Sequence, residues 1–389
     1  MAVARKGSKV QSKIQMLLYG EQGTGKSTIA SQLLYLKRPD GKPFRVLYLD
    51  AESGSIDDML EGIENDGINL DNLYIVYTQS LKEVNDYIKR ATNKEPFYEL
   101  DEDGNETDVM ILDADGEQFV SDAIVVDGTS VLNLSVKQGL VEFSKKRAKI
   151  RAERDGLLGE EKFVKIEGAS LELKDHNTIK FKGQDLVLTL TGSGLHYIIT
   201  ARETDEKISV QDSDGKITYI STGRKIPEGF KEMGYNVKTE IRLFRDKDNP
   251  ELVKAHIIKD RTKTYKNGEI VEDPSLFAFQ QVIDRTKDHN DVVVQNRLYD
   301  AIKKELKETE KEVLGEEVND ETINENINNG NDDLEKLKEE LISKLKSLKT
   351  QDKEVIKAKL REKGLPVTFK NVTNIDVIKK ALEIANEWK

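Results

Sequence analysis

A short segment near the start of the chain combines glycines, a lysine and a hydroxyl at a spacing that suits phosphate binding. Residues 20–27 read GEQGTGKS and match the pattern G-x-x-x-x-G-K-[ST]. Glycines there let backbone N–H groups turn inward around phosphate oxygens, and the dipole of a following helix adds positive potential. Lys26 would neutralise the β- and γ-phosphates of ATP, and the Ser27 hydroxyl would ligate Mg²⁺. The segment therefore predicts a site for ATP and magnesium.

The surroundings of this loop favour phosphate binding over the alternative, a glycine-rich turn with a surface lysine. An apolar stretch that reads as a strand, residues 14–19, leads into the loop, and a helix predicted over residues 26–36 leads out of it. The chemistry needs this order, because the helix N-terminus must point at the phosphates. The predicted nucleotide contacts in the loop and first helical turn are Gly20, Gly23, Thr24, Gly25, Lys26, Ser27 and Thr28.

Two later apolar segments each end in a carboxylate, the group that a magnesium–phosphate site requires. Residues 122–127 read DAIVVD, and Asp127 at the end of this strand is the predicted metal ligand. Residues 46–52 read VLYLDAE, and Glu52 is the predicted general base that orients the attacking water. Asp50 could instead serve the outer shell of the metal or cap the next helix. The alternatives are an ordinary turn aspartate at Asp127 and a solvated loop acid at Glu52.

These groups can meet if a parallel sheet delivers them to one edge. From residue 14 to about 285, apolar strands alternate with helical segments, which is typical of an α/β fold with a mainly parallel sheet covered by helices. Residues 96–119 and 135–185 read as insertions, and the second opens with a charged helix and continues into less regular sequence. A third segment, 203–228, reads as irregular with a hairpin turn near 212–215. Predicted core strands cover residues 14–19, 45–50, 73–77, 123–127, 197–201, 239–245 and 253–259.

The order of these motifs resembles the core of the RecA family of P-loop ATPases. LDAE follows the loop helix at residues 49–52, and IVVD follows much later at residues 124–127. The segment HYIITAR, residues 196–202, is similar to a strand of the phage P-loop ATPases that include the Sak-four type of single-strand-annealing protein. The resemblance covers residues 12–285 and implies a RecA-like fold in which Glu52 activates water.

The same resemblance implies roles for two pairs of residues outside the loop. Thr200 and Arg202 would be sensor-like residues that contact the γ-phosphate or relay its presence. Lys259 and Arg261, a K-x-R pair at the end of a late strand, would reach the γ-phosphate of a neighbouring subunit and stabilise the charge that develops on it. The alternatives are a structural salt bridge for Arg202 and no catalytic role for the K-x-R pair. The resemblance thus implies self-association into a ring or a filament.

A basic cluster on a predicted helix is the candidate DNA-binding surface. Arg147, Arg151 and Arg154 share one helix face, a spacing that could follow a phosphate backbone. The alternative is a solvated basic face without a ligand. A later segment with Arg224 and Lys225 lies where RecA-like proteins carry a second DNA-facing loop, but it also contains acids. The complete cluster consists of Lys145, Lys146, Arg147, Lys149, Arg151 and Arg154.

The overall composition limits these interpretations. The net charge is −11, so we do not expect adhesion to nucleic acid through bulk charge, and any contact with DNA must use a local basic patch. Cysteine is absent, which excludes disulfides, cysteine-ligated zinc and a thiol nucleophile. The apolar run at residues 14–19 is too short for a signal-peptide core or a membrane span. We therefore expect a cytoplasmic protein without a membrane partner, in the bacterial host cytoplasm if a phage encodes it.

The composition changes beyond the predicted ATPase core, residues 1–285. Residues 286–333 comprise a helical segment and a linker rich in Glu, Asp and Asn, which we expect to be flexible. Residues 334–389 form a predicted helical unit that faintly resembles SAP-like DNA modules. The alternative for this unit is a plain interaction or capping role, and its partner could be a single-strand-binding or recombination protein.

Together the motifs predict a Mg-dependent ATPase that acts on, or is regulated by, single-stranded DNA in phage-type recombination, annealing or replication. One alternative is a protein whose self-assembly is regulated by ATP and that does not bind DNA. Another is a DNA motor, a helicase or packaging enzyme, built on the same site. DNA-stimulated hydrolysis would separate the assembly protein from the other two, and strand displacement would identify the motor.

Overall fold

The computed structural model describes residues 12–286 apart from 102–103, 212–216 and 231. Beyond residue 286 it describes a helix over Ile375–Asn386 and a few isolated positions. The predicted acidic linker, most of the predicted helical unit and the predicted hairpin turn near 212–215 lie outside the described residues.

The chain divides into two compact units, Met1–Arg297 and Leu298–Lys389. The domain limits given by the sequence, with a core that ends at residue 285, stay predictions. None of the helices in the described parts of the chain has both the length and the apolar composition that crossing a membrane requires.

Strands and helices alternate along the first unit as the hydrophobic pattern predicts. The strands are β1 Gln15–Gly20, β2 Val46–Asp50, β3 Leu73–Tyr77, β4 Tyr98–Leu100, β5 Glu106–Met110, β6 Ala123–Asp127, β7 His196–Gln211, β8 Ile217–Pro227, β9 Thr239–Arg245, β10 Val253–Asp260 and β11 Ile270–Glu272. The helices are α1 Lys26–Ser31, α2 Asp57–Asn65, α3 Leu81–Asn93, α4 Thr129–Arg154, α5 Gly159–Glu167, α6 Leu173–Gly192, α7 Met233–Asn236 and α8 Gln280–Asp284.

The main sheet is mainly parallel and brings the predicted site to one edge. Its order is β11-β10-β9-β1-β7-β6-β2-β3, with β8 paired to β7 outside that path. Neighbouring strands from β9 to β3 are parallel, whereas β10 is antiparallel to β9, and β11 is antiparallel to β10. In register, Asp50 lies opposite Asp127, and Gly20 lies opposite Arg202. The topology confirms the predicted fold class, α/β with a mainly parallel sheet.

The main sheet has one hydrophobic core on each face, and each core packs the sheet against helices. Successive residues of β1 alternate between them: Leu17 and Tyr19 pack into the core that includes residues of α3, α4 and α6, and Met16 and Leu18 pack into the core that includes residues of α1. Every residue of β2 and β6 is buried, as expected for central strands of a parallel sheet. The carboxylates at the ends of these strands are therefore held in place by buried strands.

Two segments differ from their predicted structure. The less regular sequence predicted within residues 135–185 is helical, because α4 continues to Arg154 and is followed by α5 and α6. The segment 203–228, predicted to be irregular apart from a hairpin turn near 212–215, contains two regular strands, an antiparallel hairpin formed by β8 and the second half of β7. Neither α5 nor β8 has a buried residue among those described, so neither contributes to the buried hydrophobic cores.

The helices between β6 and β7 form an antiparallel pair with a short helix at its turn. Arg147 of α4 contacts Asp175 of α6, and Arg151, further along α4, contacts Glu172, which precedes α6. Later positions in α4 thus meet earlier positions near α6, so the two helices run in opposite directions. We call residues 142–181 the helical arm.

Candidate functional site

The glycine loop joins the end of β1 to the start of α1, as its motif predicts. A Cβ added to Gly20 would lie 1.9 Å from the carbonyl oxygen of Leu243 in β9, so no side chain fits at this position. The loop borders a cleft of about 680 Å³. Glu52, Ser55 and Arg202 also line this cleft, so the loop after β2 and strand β7 both face the glycine loop.

Lys26 folds back over the loop. Its Nζ donates hydrogen bonds to the carbonyl oxygens of Glu21 at 2.7 Å and of Gly20 at 3.3 Å. Burial lowers the pKa of Lys26, and the carboxylates of Glu52 and Asp127 oppose that shift. An anion in the cleft would favour the charged form further. The ammonium group therefore lies where phosphate oxygens can replace the backbone carbonyls as its partners.

Asp127 is the centre of a hydrogen-bond cluster at the end of β6. Its Oδ2 accepts hydrogen bonds from Ser27 Oγ at 2.7 Å, from the Tyr48 hydroxyl at 2.6 Å and from Ser55 Oγ at 2.5 Å. Its Oδ1 accepts one from the Thr200 hydroxyl. Asp127 is buried, so these bonds replace the water that the carboxylate loses on folding. We call these five residues the Asp127 cluster.

The sequence prediction missed two members of this cluster. Tyr48 lies two residues before Asp50 in β2, and it is a fully buried tyrosine whose hydroxyl needs a partner. Burial, with the charge of Asp127, raises the pKa of Tyr48, so this hydroxyl remains a donor. The buried tyrosine in an otherwise apolar strand could have been noticed in the sequence. Ser55 has no comparable signal, because its role depends on the path of the loop after β2.

Ser27 and Asp127 together fit a magnesium site. Mg²⁺ prefers hard oxygen ligands, and proteins bind it through one or two carboxylates together with phosphates and water. A hydroxyl and a carboxylate oxygen 2.7 Å apart beside a phosphate loop provide such a set. Within the described residues, no group of three or more His, Asp or Glu side chains forms a metal site. Magnesium here would depend on nucleotide phosphates for its other ligands.

Glu52 lies at the cleft, directly after β2, and is partly exposed. Its Oε1 accepts a hydrogen bond from Arg202 Nε at 3.0 Å, which makes an ion pair across the cleft wall. A Cβ on Gly128 would lie 2.5 Å from Glu52 Cγ, so glycine at residue 128 leaves room for this side chain. The structure thus brings Glu52 and Arg202 together beside the loop that contains Lys26.

Asp50 binds the backbone of the loop that follows it. Its carboxylate is buried and accepts hydrogen bonds from the N–H groups of residues 52 to 55, at distances between 2.8 and 3.0 Å. Of the two sequence alternatives for Asp50, an outer-shell metal role and a capping role, these bonds favour one resembling a cap. The loop that bears Glu52 and Ser55 is therefore wrapped around a fixed carboxylate.

Thr200 lies behind Asp127 instead of facing the cleft. Its hydroxyl donates to Asp127 and accepts a hydrogen bond from the N–H of Gly128 at 2.8 Å. The residue is 1% exposed. The predicted contact between Thr200 and the γ-phosphate would require these bonds to break, so the geometry assigns Thr200 to the orientation of Asp127.

Arg261 lies at the end of the sheet opposite the glycine loop, and Lys259 lies between the two ends, level with Leu17 of β1. The N–H of Arg261 donates to the carbonyl of Lys238, whose own N–H donates to the carbonyl of Gln15 at the start of β1. Six residues of β1 separate this level from the loop, a distance of roughly 17 Å at the usual rise of a strand. Lys259 Nζ donates to carbonyl oxygens of α7, and burial lowers its pKa. Neither side chain lines the cleft of its own subunit.

Acidic residues of the helical arm form ion pairs with four of the six residues of the predicted basic cluster. Arg147 is half-buried and bonds Asp175 at 2.5 Å. Lys146 and Lys149 are exposed. In the second basic segment, acids of the same hairpin pair with Arg224 and Lys225. The ion pairs of the cluster join Lys145 to Glu167, Arg147 to Asp175, Arg151 to Glu172 and Arg154 to Asp155.

Comparison with known proteins gives likenesses of fold. No protein-family model and no curated protein sequence matches the chain. The chain is similar to the RadB recombinase, with 16% identity over 67% of this chain and 87% of that one and a TM-score of 0.36. It is also similar to a KaiC-like protein from the hyperthermophilic archaeon Pyrococcus horikoshii OT3, with 15% identity over 68% and 99% of the chains and a TM-score of 0.35. At these values the likenesses carry no argument about function.

Proposed function

We propose that this chain is a Mg-dependent ATPase that assembles from identical subunits and acts on single-stranded DNA in phage-type recombination, annealing or replication. One observation carries the ATPase assignment: the glycine loop with Lys26, the Ser27–Asp127 pair and Glu52 meet at one cleft. Each of these groups is of the type that phosphoryl transfer to water requires.

The groups of the cleft divide the reaction between them. Loop N–H groups and Lys26 bind the β- and γ-phosphates, because they supply donors and a cation at the start of a helix. Ser27 and Asp127 would hold Mg²⁺, which would neutralise phosphate charge. Glu52 orients the attacking water and accepts its proton. Arg202 now pairs with Glu52, and it is near enough to the loop to exchange that partner for the γ-phosphate.

The position of the K-x-R pair supports assembly. Counted along β1, Arg261 lies about 17 Å from the glycine loop of its own subunit and Lys259 about 10 Å. A neighbouring subunit is therefore needed if they are to stabilise charge on the transferred phosphoryl group. We expect a ring or a filament, in which each cleft is completed by the next copy.

The test of the ATPase assignment is turnover by the parent chain and by Lys26→Ala. We expect magnesium-dependent release of phosphate from ATP by the parent. The variant should lose nearly all turnover, because the β- and γ-phosphates lose their direct cation. Normal turnover by Lys26→Ala would refute the site.

The test of the DNA assignment is the same turnover with and without single-stranded DNA. The acid pairing of the basic cluster favours a second candidate, an ATP-regulated assembly protein that does not bind DNA. Stimulation by single-stranded DNA would support the first proposal. Turnover that changes with protein concentration but not with DNA would favour the second.

A further inference from the structure

The loop after β2 is tied to two buried carboxylates. Asp50 holds the backbone N–H groups of residues 52 to 55, and Asp127 holds the side chain of Ser55 at 2.5 Å. The N–H of Ala51 also donates to the carbonyl oxygen of Asp127 at 2.9 Å. Ser55 is thus the side chain through which the loop that bears Glu52 contacts the predicted metal ligand.

The hydroxyls around Asp127 differ in what they can do when a metal arrives. Oδ2 accepts three hydroxyl hydrogen bonds, although a carboxylate oxygen has about two lone-pair positions. Ser27 is the hydroxyl that would leave this oxygen for Mg²⁺. Tyr48 is fixed within a fully buried strand and remains. Ser55 lies in a loop at the cleft, so its hydrogen bond links the position of that loop directly to the Asp127 carboxylate.

We propose that Ser55 is a positioning residue that couples occupancy of the metal site to the placement of Glu52. This inference rests on the proposed function. With Ser27 turned to the metal, Ser55 and Tyr48 would remain the hydroxyl partners of Oδ2, and the bond from Ser55 would hold the loop against Asp127. Glu52, three residues earlier on a backbone held by Asp50, is thereby placed for the attacking water.

A neighbouring serine provides a matched control. Ser53 lies in the same loop and, like Ser55, donates its backbone N–H to Asp50. Its side chain is exposed, and the hydroxyl makes no hydrogen bond to Asp127. Ser53→Ala removes a hydroxyl from the same loop without touching the proposed coupling. Ser55→Thr keeps the hydroxyl and should rescue what Ser55→Ala loses.

Hydrogen exchange of the full-length chain measures the coupling without using activity. Exchange is followed with and without Mg²⁺ and a non-hydrolysable ATP analogue. In the parent, in Ser53→Ala and in Ser55→Thr, the analogue should slow exchange in both the glycine loop and residues 51–60. In Ser55→Ala, the glycine loop should stay protected while residues 51–60 lose the added protection. We expect kcat of Ser55→Ala to fall about tenfold, the scale of one hydrogen bond to a charged group, with little change in KM.

The possible failures are distinguishable. If the parent binds no magnesium–ATP analogue, the proposed function and this inference both fall. If the parent is protected at both segments and Ser55→Ala shows the same pattern, the inference alone is overturned. A loss of protection in Ser53→Ala equal to that in Ser55→Ala would also overturn it, because the effect would then belong to the loop as a whole.

Discussion

The Asp127 cluster and the helical arm are both rich in polar side chains, but they use them differently. In the cluster, four hydroxyls converge on one buried carboxylate at the end of a buried strand. In the arm, cations and acids form pairs at the surface, such as Arg154 with Asp155, whose side chains are 75% and 45% exposed. Exposed pairs of this kind contribute little to stability, whereas a buried carboxylate depends on its hydrogen bonds.

The difference teaches how far residue type alone can be interpreted. A carboxylate that ends an apolar strand has a position fixed by the sheet, so its chemistry can be inferred from the sequence. A charge on a surface helix has a partner that depends on packing between helices.

Arg261 is an exposed residue, but unlike the exposed charges of the helical arm we expect it to be important for turnover. If it serves a neighbouring cleft, Arg261→Ala should bind ATP normally and lose turnover by about 10³-fold, the lower end of the effect of an arginine finger. Lys263→Ala, which removes another exposed cation two residues later, should keep its turnover. Phosphate release at saturating ATP is the measurement.

Mixing variants decides whether Arg261 acts between subunits. Lys26→Ala and Arg261→Ala are each inactive, but some interfaces in a mixture pair an intact glycine loop with an intact arginine. Partial recovery of turnover is expected. No recovery, with mixed assemblies shown to form, would remove the trans role.

Thr200→Val tests the contribution of the buried Asp127 cluster to stability. The variant is nearly isosteric, but it removes the hydroxyl that bonds Asp127 Oδ1 and the N–H of Gly128. We expect the free energy of unfolding to fall by about 2 kcal/mol, because a charged buried group loses a hydrogen bond. Arg154→Ala, on the exposed side, should leave the free energy of unfolding unchanged. Equal effects in denaturant titrations of the two variants would contradict the comparison.

Lys146 and Lys149 test whether the helical arm has a role besides its internal pairs. If these exposed lysines contact single-stranded DNA, changing both to alanine should reduce the salt dependence of binding. The slope of log K against log[salt] should decrease by about 1.4, since each lost phosphate contact contributes about 0.7 for a single strand. An unchanged slope, measured by fluorescence anisotropy, would remove these lysines from the DNA surface.

His196 extends the comparison to a third region, the amino-terminal edge of the sheet. Its Nδ1 accepts a hydrogen bond from the N–H of Ile14 at 3.2 Å, and burial holds the pKa of His196 well below its usual range. Because the unfolded chain binds a proton below about pH 6.5 and the folded chain does not, stability should fall as pH decreases below that value. His196→Asn should reduce the slope of unfolding free energy between pH 5.5 and 6.5 by up to about 1.4 kcal/mol per pH unit. An unchanged slope would mean that His196 can be protonated in the folded state.

Much of the fold and the central part of the site follow from the sequence. The strands that precede Lys26 and Glu52, and the strand that ends at Asp127, are continuous apolar runs, and parallel pairing takes their ends to the same edge. The glycine motif also marks the junction between a strand and the following helix, so its place in the fold can be predicted from the motif alone. These features are local patterns, so no knowledge of distant contacts is needed to find them.

The remaining features depend on contacts that local patterns do not contain. Ser55 is an ordinary loop serine until the loop wraps around Asp50. Arg147 and Arg151 share a helix face in the sequence, but the acids that engage them, Asp175 and Glu172, come from α6 and the residue before it. The hairpin of β7 and β8 is exposed on both faces, so alternation of polar and apolar residues does not reveal it.

The most direct test of the central claim is ATP turnover by Glu52→Gln, with nucleotide binding measured on the same preparation. The amide is nearly isosteric, and Glu52 is partly exposed, so the variant should fold and bind magnesium–ATP as the parent does. Turnover should fall by about 10²-fold or more, the usual scale for a lost general base. Turnover equal to that of the parent would contradict the account, because the cleft would then hydrolyse ATP without the carboxylate that it places beside the loop.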